Sequence, residues 1–187
     1  MIEVIDNFAT LEVREKIMHS LKDSGFGMFH YKDSVKGDGK AFMSHVLLVR
    51  PEDRETDKND RGVRSKYFFD LMAGLVEYHK KSEMNLGVQI LRAAVNMTYN
   101  NGHREGNWHK DHDYPHKHMI IYLNTPEDKT AVTEIKQDDG EIMRVEPKKW
   151  RAVIMDDHEH RAIYPEKGDR WVLVITYTEE LLDQDNG

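Results

Sequence analysis

His109 and Asp111, two residues apart and followed far along the chain by His160, constrain the fold more than any other feature. In an extended segment, residues i and i+2 point to the same side, so this pair can hold one metal ion while Lys110 points away. A third ligand from His160 requires a distant strand to lie beside the segment. Two imidazoles and one carboxylate can occupy one face of an octahedral metal and leave its other positions open. The pattern therefore predicts a metal site built on neighbouring strands.

Arg170 follows His160 after a segment with the pattern strand, turn, strand. Gly168 and the polar residues around it supply the turn. A hairpin of this length would return Arg170 to the neighbourhood of His160, and the apolar residues 171–177 would continue as a buried strand. A planar, permanently charged guanidinium in that place suits a carboxylate. The alternative is a surface arginine in the turn before the strand.

The second half of the chain contains further motifs that occur in the order seen in a known enzyme family. They are the strand pattern at 95–102, the HxD triplet at 109–111, the apolar strand at 119–124 with its Tyr-Leu-Asn end, and the His-Arg pair at 160–161. Together they resemble the 2-oxoglutarate/Fe(II)-dependent dioxygenase superfamily, and within it the prolyl-4-hydroxylase-like branch. The resemblance covers roughly residues 88–178.

The resemblance implies a role for each motif residue. His109, Asp111 and His160 would be the catalytic Fe(II) ligands. Arg170 would bind the far carboxylate of the cosubstrate, 2-oxoglutarate.

Two tyrosines complete the set of expected cosubstrate contacts. In the family pattern, Tyr122 would reach the far carboxylate of 2-oxoglutarate, and Tyr99 would lie on a second contacting strand. Strand tyrosines also serve as half-buried packing residues, which is the alternative for both. One position departs from the family, because Val172 stands where a second hydroxyl to the carboxylate is often found.

Other histidines near the motif offer competing ligands. A structural zinc site usually closes with four ligands that include cysteine, and this chain has no cysteine. His158 would face the same side of a strand as His160, and the His-Arg pair and the spacing to Arg170 favour His160. We expect most of the remaining loop histidines to be exposed, with a role at the substrate entrance as the alternative. These are His112, His116 and His118.

Apolar patterns predict helices and two strands in the first part of the chain and strands alone after it. Helical spacing appears over Thr10 to Leu21 and over Ser65 to Lys81, strand patterns appear at 2–5 and 41–49, and further strand patterns follow from residue 87 onward. The predicted fold is mainly β, a double-stranded β-helix (a cupin-like jelly roll) with flanking N-terminal helices packed on it. We expect one domain over 1–187, with an N-terminal support over about 1–86 and the jelly-roll core over about 87–178.

Composition limits the partners and the location of the protein. The formal net charge of −7 makes nucleic acid an unlikely partner, because a nonspecific grip on it needs a basic surface. No stretch has the length of a membrane span, and the N-terminus lacks a signal-peptide layout. We therefore expect a cytoplasmic protein with no membrane partner. The sequence does not predict an oligomeric state.

The resemblance implies an enzyme that uses Fe(II), 2-oxoglutarate and O₂ to hydroxylate an organic substrate, with release of succinate and CO₂. Ascorbate is a candidate reductant. The substrate would be a small molecule, a peptide or a protein, and a peptidyl or free prolyl residue comes first. The alternatives are a non-catalytic metal-binding jelly-roll module and a nucleobase-demethylating dioxygenase, which would need a basic groove.

Overall fold

The structure is a computed structural model that describes residues 1–54, 61–81 and 86–181. The helices are α1 (Leu11–Lys22), α2 (Phe68–Leu71) and α3 (Ala73–Lys80), with a short 3₁₀ turn at Pro51–Asp53. The strands are β1 (Ile2–Ile5), β2 (Phe29–Tyr31), β3 (Phe42–Leu48), β4 (Leu86–Tyr99), β5 (Lys117–Tyr122), β6 (Thr133–Lys136), β7 (Ile142–Val145), β8 (Ala152–Asp156), β9 (His160–Ala162) and β10 (Asp169–Leu181).

Two antiparallel sheets form the body of the protein. The large sheet has the order β1-β8-β5-β10-β4-β3-β2, and the small sheet has the order β7-β6-β9. A buried apolar cluster joins them, with Ile120 and Val174 from the large sheet against Ile135 and Val145 from the small one. Because side chains alternate along a strand, the neighbours of Ile120 point to the opposite face of the large sheet.

The helices cover that opposite face. Ile17 of α1 and Leu75 of α3 pack with Met119 and Ile121 of β5 in a second buried cluster. The close fit involves Gly74, where an added Cβ would lie 3.1 Å from the Phe8 ring. This arrangement confirms a jelly roll with N-terminal helices packed on it.

One predicted helix is found where it was expected, and the other is divided into two. Thr10 caps α1, since its side chain accepts a hydrogen bond from the Val13 N–H, and α1 begins one residue later. The second predicted helix is divided at Met72, whose ψ of −8° is closer to that of a turn than to that of an α-helix. Phe68 and Leu71 therefore bury their side chains from a separate turn, α2.

Residues before position 87 contribute strands as well as helices. β1 pairs with β8, and β3 pairs with β4, so the large sheet extends beyond the range predicted for the jelly-roll core. The division of the chain at about residue 86 stays a prediction. None of the helices in the described ranges has the length and apolar character needed to cross a membrane.

Candidate metal centre

His109, Asp111 and His160 lie together at one end of the space between the sheets. Each offers one ligand atom, and these atoms all lie within 4.8 Å of one another. The loop that carries His109 is fixed to β9 by two backbone bonds. The His109 N–H donates to the His160 carbonyl at 3.1 Å, and the His160 N–H donates to the His109 carbonyl at 3.0 Å. This exchange brings the separated ligands together.

The hydrogen bonds of the two histidines select one tautomer. His109 Nδ1 lies 3.0 Å from the Asn107 carbonyl, and His160 Nδ1 lies 3.1 Å from the His158 carbonyl. A carbonyl oxygen only accepts, so each Nδ1 donates a proton and each Nε2 keeps its lone pair. A hydrogen bond from one ring nitrogen to a carbonyl is typical of histidines that bind a metal through the other ring nitrogen.

Asp111 is buried, and its two carboxylate oxygens have different neighbours. Oδ1 accepts hydrogen bonds from Arg50 Nη2 at 2.8 Å and from Arg92 Nη1 at 3.0 Å. Oδ2 faces the imidazoles, with His118 Nδ1 at 3.4 Å and His160 Nε2 at 3.8 Å. One oxygen is therefore held by cations, while the other is turned towards the cluster.

The charge states follow from these surroundings. Burial alone would raise the pKa of Asp111, but His118, Arg92 and the ligand imidazoles outweigh it and hold the pKa well below its usual range. Burial lowers the pKa of His160 to about 4 and also lowers the pKa of His118 well below its usual value. Both imidazoles are thus neutral near pH 7. The permanent cations at Asp111 are Arg50 and Arg92.

This donor set fits a divalent transition metal. It offers two imidazoles with free Nε2 lone pairs and one ionised carboxylate oxygen, a combination suited to Fe(II) with open coordination positions. His158 lies outside the cluster, with Nδ1 3.8 Å from Asp138.

Arg170 is buried at the start of β10, with 3% of its surface exposed. Its Nη2 donates to Thr133 Oγ1 at 2.5 Å, and its guanidinium lies 5.2 Å from the centre of the Tyr122 ring. Among the described residues no carboxylate forms an ion pair with it, and its Nε has no hydrogen-bond partner. A buried cation without a counter-charge is costly, so this site suits an anionic ligand.

A cavity of about 110 Å³ connects Arg170 with the metal cluster. Its polar lining includes Asn96, Thr98 and Thr133, and Val172 and Val174 lie between the two ends. The lining also contains the three ligands, His118 and the arginines at positions 50, 92, 161 and 170.

The structure places the two tyrosines outside this lining. Tyr122 is fully buried, and its hydroxyl lies 2.6 Å from Thr133 Oγ1, the atom that also accepts from Arg170. Tyr99 alternates along β4 with Thr98, which faces the cavity, so Tyr99 points to the other side of the sheet. The hydroxyl-bearing residues in the described lining of the cavity are Ser34, Thr98, Thr133 and Tyr164.

The sequence does not identify Arg50, Arg92 or Thr133 as site residues. Arg50 lies after β3, Arg92 lies within β4, and Thr133 begins β6. The sequence offers His118, on β5, only as an alternative at the substrate entrance, and its even spacing from Ile120 and Tyr122 on one strand face is the signal that could have placed it in the site.

The expectation that most loop histidines are exposed is wrong. His112, His116 and His118 are all buried, with 4%, 6% and 2% of their surface exposed. The buried Nε2 of His112 is satisfied by a hydrogen bond with Thr176 Oγ1 at 2.8 Å.

Comparison with known proteins gives no relative by sequence. No family model matches the chain, and no curated protein matches it.

Solved structures do share its fold. An oxidoreductase of the 2OG-Fe(II) oxygenase family from Burkholderia pseudomallei aligns with a TM-score of 0.69 at 13% identity, over 95% of this chain and 84% of that one. A prolyl hydroxylase from Trichoplax adhaerens was solved in complex with a hypoxia inducible factor oxygen degradation domain peptide fragment. It aligns with a TM-score of 0.62 at 12% identity, over 94% of this chain and 82% of that one. The viral collagen prolyl hydroxylase from Paramecium Bursaria Chlorella virus-1, solved as its 2OG complex, aligns with a TM-score of 0.60 at 11% identity, over 96% of both chains. The chain therefore has the jelly-roll fold of these oxygenases, which confirms the predicted fold class.

Proposed function

We propose that this protein is an Fe(II)- and 2-oxoglutarate-dependent dioxygenase that hydroxylates an organic substrate and releases succinate and CO₂. The observation that carries the proposal is the pairing of two features in one cavity. At one end His109, Asp111 and His160 present a three-ligand metal set. At the other end Arg170 is a buried cation to which the described part of the chain gives no carboxylate partner. A ligand with a carboxylate at each end would satisfy both.

His109, Asp111 and His160 would hold Fe(II), and O₂ would be the second cosubstrate. When bound, the iron would supply the activation of O₂ that oxidises both 2-oxoglutarate and substrate. The protein's own contribution is to keep both histidines in the tautomer that leaves Nε2 free, through the carbonyls of Asn107 and His158. It would also keep Asp111 ionised.

Arg170 would bind the far carboxylate of 2-oxoglutarate through a charge-assisted bond. The Thr133 hydroxyl, placed between Arg170 and Tyr122, provides the polar contact that the family pattern assigns to the position of Val172. Tyr122 would then act on the cosubstrate by orienting Thr133. A direct role for Tyr99 stays a prediction, and its position on the other face of β4 favours Thr98 as the nearer group.

Apolar side chains would keep water from the cosubstrate. Ile120, Val172 and Val174 line the cavity between its polar ends. Excluding water from this region strengthens the interaction of Arg170 with an anion, since charges interact more strongly at low dielectric.

The primary substrate would be a small molecule or a peptide, with a peptidyl or free prolyl residue as the first candidate. The prolyl hydroxylases that share the fold support this choice, and one of them was solved with a peptide. We place the protein in the cytoplasm, with ascorbate as the candidate reductant.

The test is formation of succinate from 2-oxoglutarate in air, with Fe(II) and ascorbate added. We expect slow, substrate-independent formation by the wild-type protein and none above background by His109→Ala. Lys148→Gln is the matched control, because Lys148 is half exposed and pairs with Asp6 away from the cavity. A folded protein that binds neither Mn²⁺ nor 2-oxoglutarate would contradict the proposal and favour a different role for the jelly roll.

A further inference from the structure

The two arginines on Asp111 carry more positive charge than that residue can neutralise. Arg50 and Arg92 both donate to Asp111 Oδ1, at 2.8 and 3.0 Å. A single carboxylate carries one negative charge and so balances one of them. Within the described ranges, neither arginine forms an ion pair with any other carboxylate, and the charge of Asp53 acts on Arg92 only from beyond ion-pair distance. A divalent metal on the same carboxylate would add to the excess.

The rest of the cavity does not supply the missing negative charge. Asp111 is the one acidic side chain among the described residues that line it. Arg161, also in the lining, already pairs with Glu134 at 2.7 Å and with Glu105 at 2.5 Å. If the far carboxylate of 2-oxoglutarate binds Arg170, its near carboxylate binds at the metal and offsets one positive charge there. A divalent metal, Arg50, Arg92 and Asp111 would still carry an excess of positive charge.

Both arginines also have hydrogen-bond donors to spare. A guanidinium has five N–H donors, and the described hydrogen bonds engage one donor of Arg50 and one of Arg92. Neither has a buried nitrogen without a partner, so their remaining donors face accessible space. Their side chains are 34% and 18% exposed, and both line the cavity.

We propose that Arg50 and Arg92 form a binding position for an anionic group, a carboxylate, of the primary substrate. This inference rests on the proposed function, because it assigns Arg170 to the cosubstrate. Two guanidiniums beside the metal ligands match a carboxylate in charge, and each has N–H donors that Asp111 leaves unused. Within the prolyl candidates, it favours a free acid over an internal residue of a neutral peptide.

The probe for this site is trifluoroacetate, observed by ¹⁹F NMR on the full chain loaded with Mn²⁺ and saturating 2-oxoglutarate. Bound Mn²⁺ accelerates the relaxation of fluorine nuclei near it, which reports binding without turnover. We expect saturable relaxation enhancement for trifluoroacetate and at least about 10-fold less for neutral trifluoroacetamide, as suits a charge-assisted contact. Arg50→Gln and Arg92→Gln should each weaken trifluoroacetate binding by about 10-fold, while Lys148→Gln leaves it unchanged.

Equal relaxation of the acid and the amide would overturn the inference. So would trifluoroacetate binding that survives in both arginine variants, since the anion would then be held by the metal alone. The relaxation of 2-oxoglutarate itself is recorded in the same samples. If 2-oxoglutarate fails to bind, the proposed function fails; if it binds and the anion does not, only this inference fails. Mn²⁺ affinity, measured by EPR in each variant, separates loss of the metal from loss of the anion.

The source of the carboxylate is tested by displacement of trifluoroacetate. N-acetyl-L-proline represents a free acid, and a terminally blocked Ala-Glu-Ala peptide represents an acidic side chain. Displacement by either supports the site and identifies the source, with N-acetyl-L-proline expected to be the stronger competitor. N-acetyl-L-prolinamide is the neutral control. Displacement by neither acid, or equal displacement by the amide, would contradict a carboxylate-binding site.

Discussion

Arg170 is the residue on which the cosubstrate assignment depends. It is buried beside Thr133 and Tyr122, and it lacks a counter-charge within the described structure. We expect Arg170→Gln to raise the Kd of 2-oxoglutarate by roughly 10- to 100-fold, since bonds to charged groups contribute about 1.5–3 kcal/mol. Calorimetric titration of the Mn²⁺-loaded protein measures this change.

Two controls make the Arg170 result specific. Arg170→Lys keeps the charge without the planar fork, so its Kd should fall between those of the wild type and Arg170→Gln. Mn²⁺ affinity should stay within about two-fold of the wild type in both variants, in line with the usual scatter of distant substitutions. An unchanged Kd for 2-oxoglutarate in a folded Arg170→Gln protein would show that the anion binds elsewhere.

At the scale of residues, the sequence predicts those site residues whose spacing along the chain places them on the same face of a strand. His109 and Asp111 share one face of an extended segment, which is visible from the i, i+2 rule alone. Arg50 and Arg92 reach Asp111 because β3 pairs with β4, which places the end of β3 beside the middle of β4, with Leu48 opposite Ala93. No local pattern encodes that meeting, so it is visible only in the folded chain.

At the scale of elements, Gly106 fixes the distance between the HxD loop and β9. Its N–H donates to the Ala162 carbonyl at 2.8 Å, and an added Cβ would lie 3.0 Å from that same oxygen. We expect Gly106→Ala to push the loop away from β9 and to cost roughly 1–3 kcal/mol of stability, as overpacking commonly does. Urea unfolding measures the loss.

The same change should also weaken Mn²⁺ binding, because it separates His109 from His160. Gly27→Ala is the matched control, since its nearest atom to an added Cβ is 3.9 Å away. Wild-type stability and metal affinity in Gly106→Ala would show that the close approach is not needed to assemble the ligands.

A second element-scale contact joins the start of α1 to α3. The Thr10 hydroxyl and N–H both donate to the Glu77 carboxylate, and Lys81 donates to it at 2.7 Å. Burial alone would raise the pKa of Glu77, but the bonds from Lys81 and Thr10 lower it from 4.5 to about 2. The stabilising contribution of the Glu77 carboxylate to the folded protein is therefore fully present above about pH 4.5 and is lost as the pH falls towards 2.

We expect Glu77→Gln to destabilise the protein by roughly 1 kcal/mol at pH 7, the usual value of a hydrogen bond. The difference from the wild type should shrink at pH 3, which urea unfolding at both pH values measures. Glu15→Gln, a change at an exposed position on α1, should have little effect at either pH. A pH-independent difference for Glu77→Gln would exclude its carboxylate charge as the cause.

The start of α1 is predictable because Thr10 is a strong N-cap residue placed just before a helical pattern. The break at Met72 is not, since the apolar stripe runs through Met72 and the one glycine of the segment, Gly74, lies inside α3 and not at the break. Packing of Phe68 and Leu71 in the core decides the local geometry there, and periodicity does not report it.

At the scale of the whole molecule, charge is segregated. The chain has a formal net charge of −7, yet four arginines and one carboxylate are found among the described residues that line the cavity. The overall charge disfavours nucleic acid as a general partner, which stays a prediction, and it conceals a basic cavity lining that a composition count cannot reveal. The strand-rich core is predictable from alternation, whereas the pairing of β1 with β8 depends on long-range contacts.

Ligand binding should stabilise the whole fold, because the metal ligands come from separate parts of the chain. With Mn²⁺ and 2-oxoglutarate each at a concentration near 100 times its Kd, binding adds about 2.7 kcal/mol per ligand to the free energy of unfolding. We expect the Tm to rise by roughly 5–10 °C for each, as suits a chain of this size. Differential scanning fluorimetry measures the shift, which should vanish in His109→Ala; an equal shift in that variant would show binding outside the cluster.

The most direct measurement is an anaerobic titration of the protein with Fe(II) in the presence of 2-oxoglutarate, followed by visible absorption. Chelation of the metal by the keto acid at the site produces a metal-to-ligand charge-transfer band. We expect the band in the wild type, its loss in His109→Ala and its weakening in Arg170→Gln. Absence of the band in the folded wild-type protein would contradict the assignment of this cavity to iron and 2-oxoglutarate.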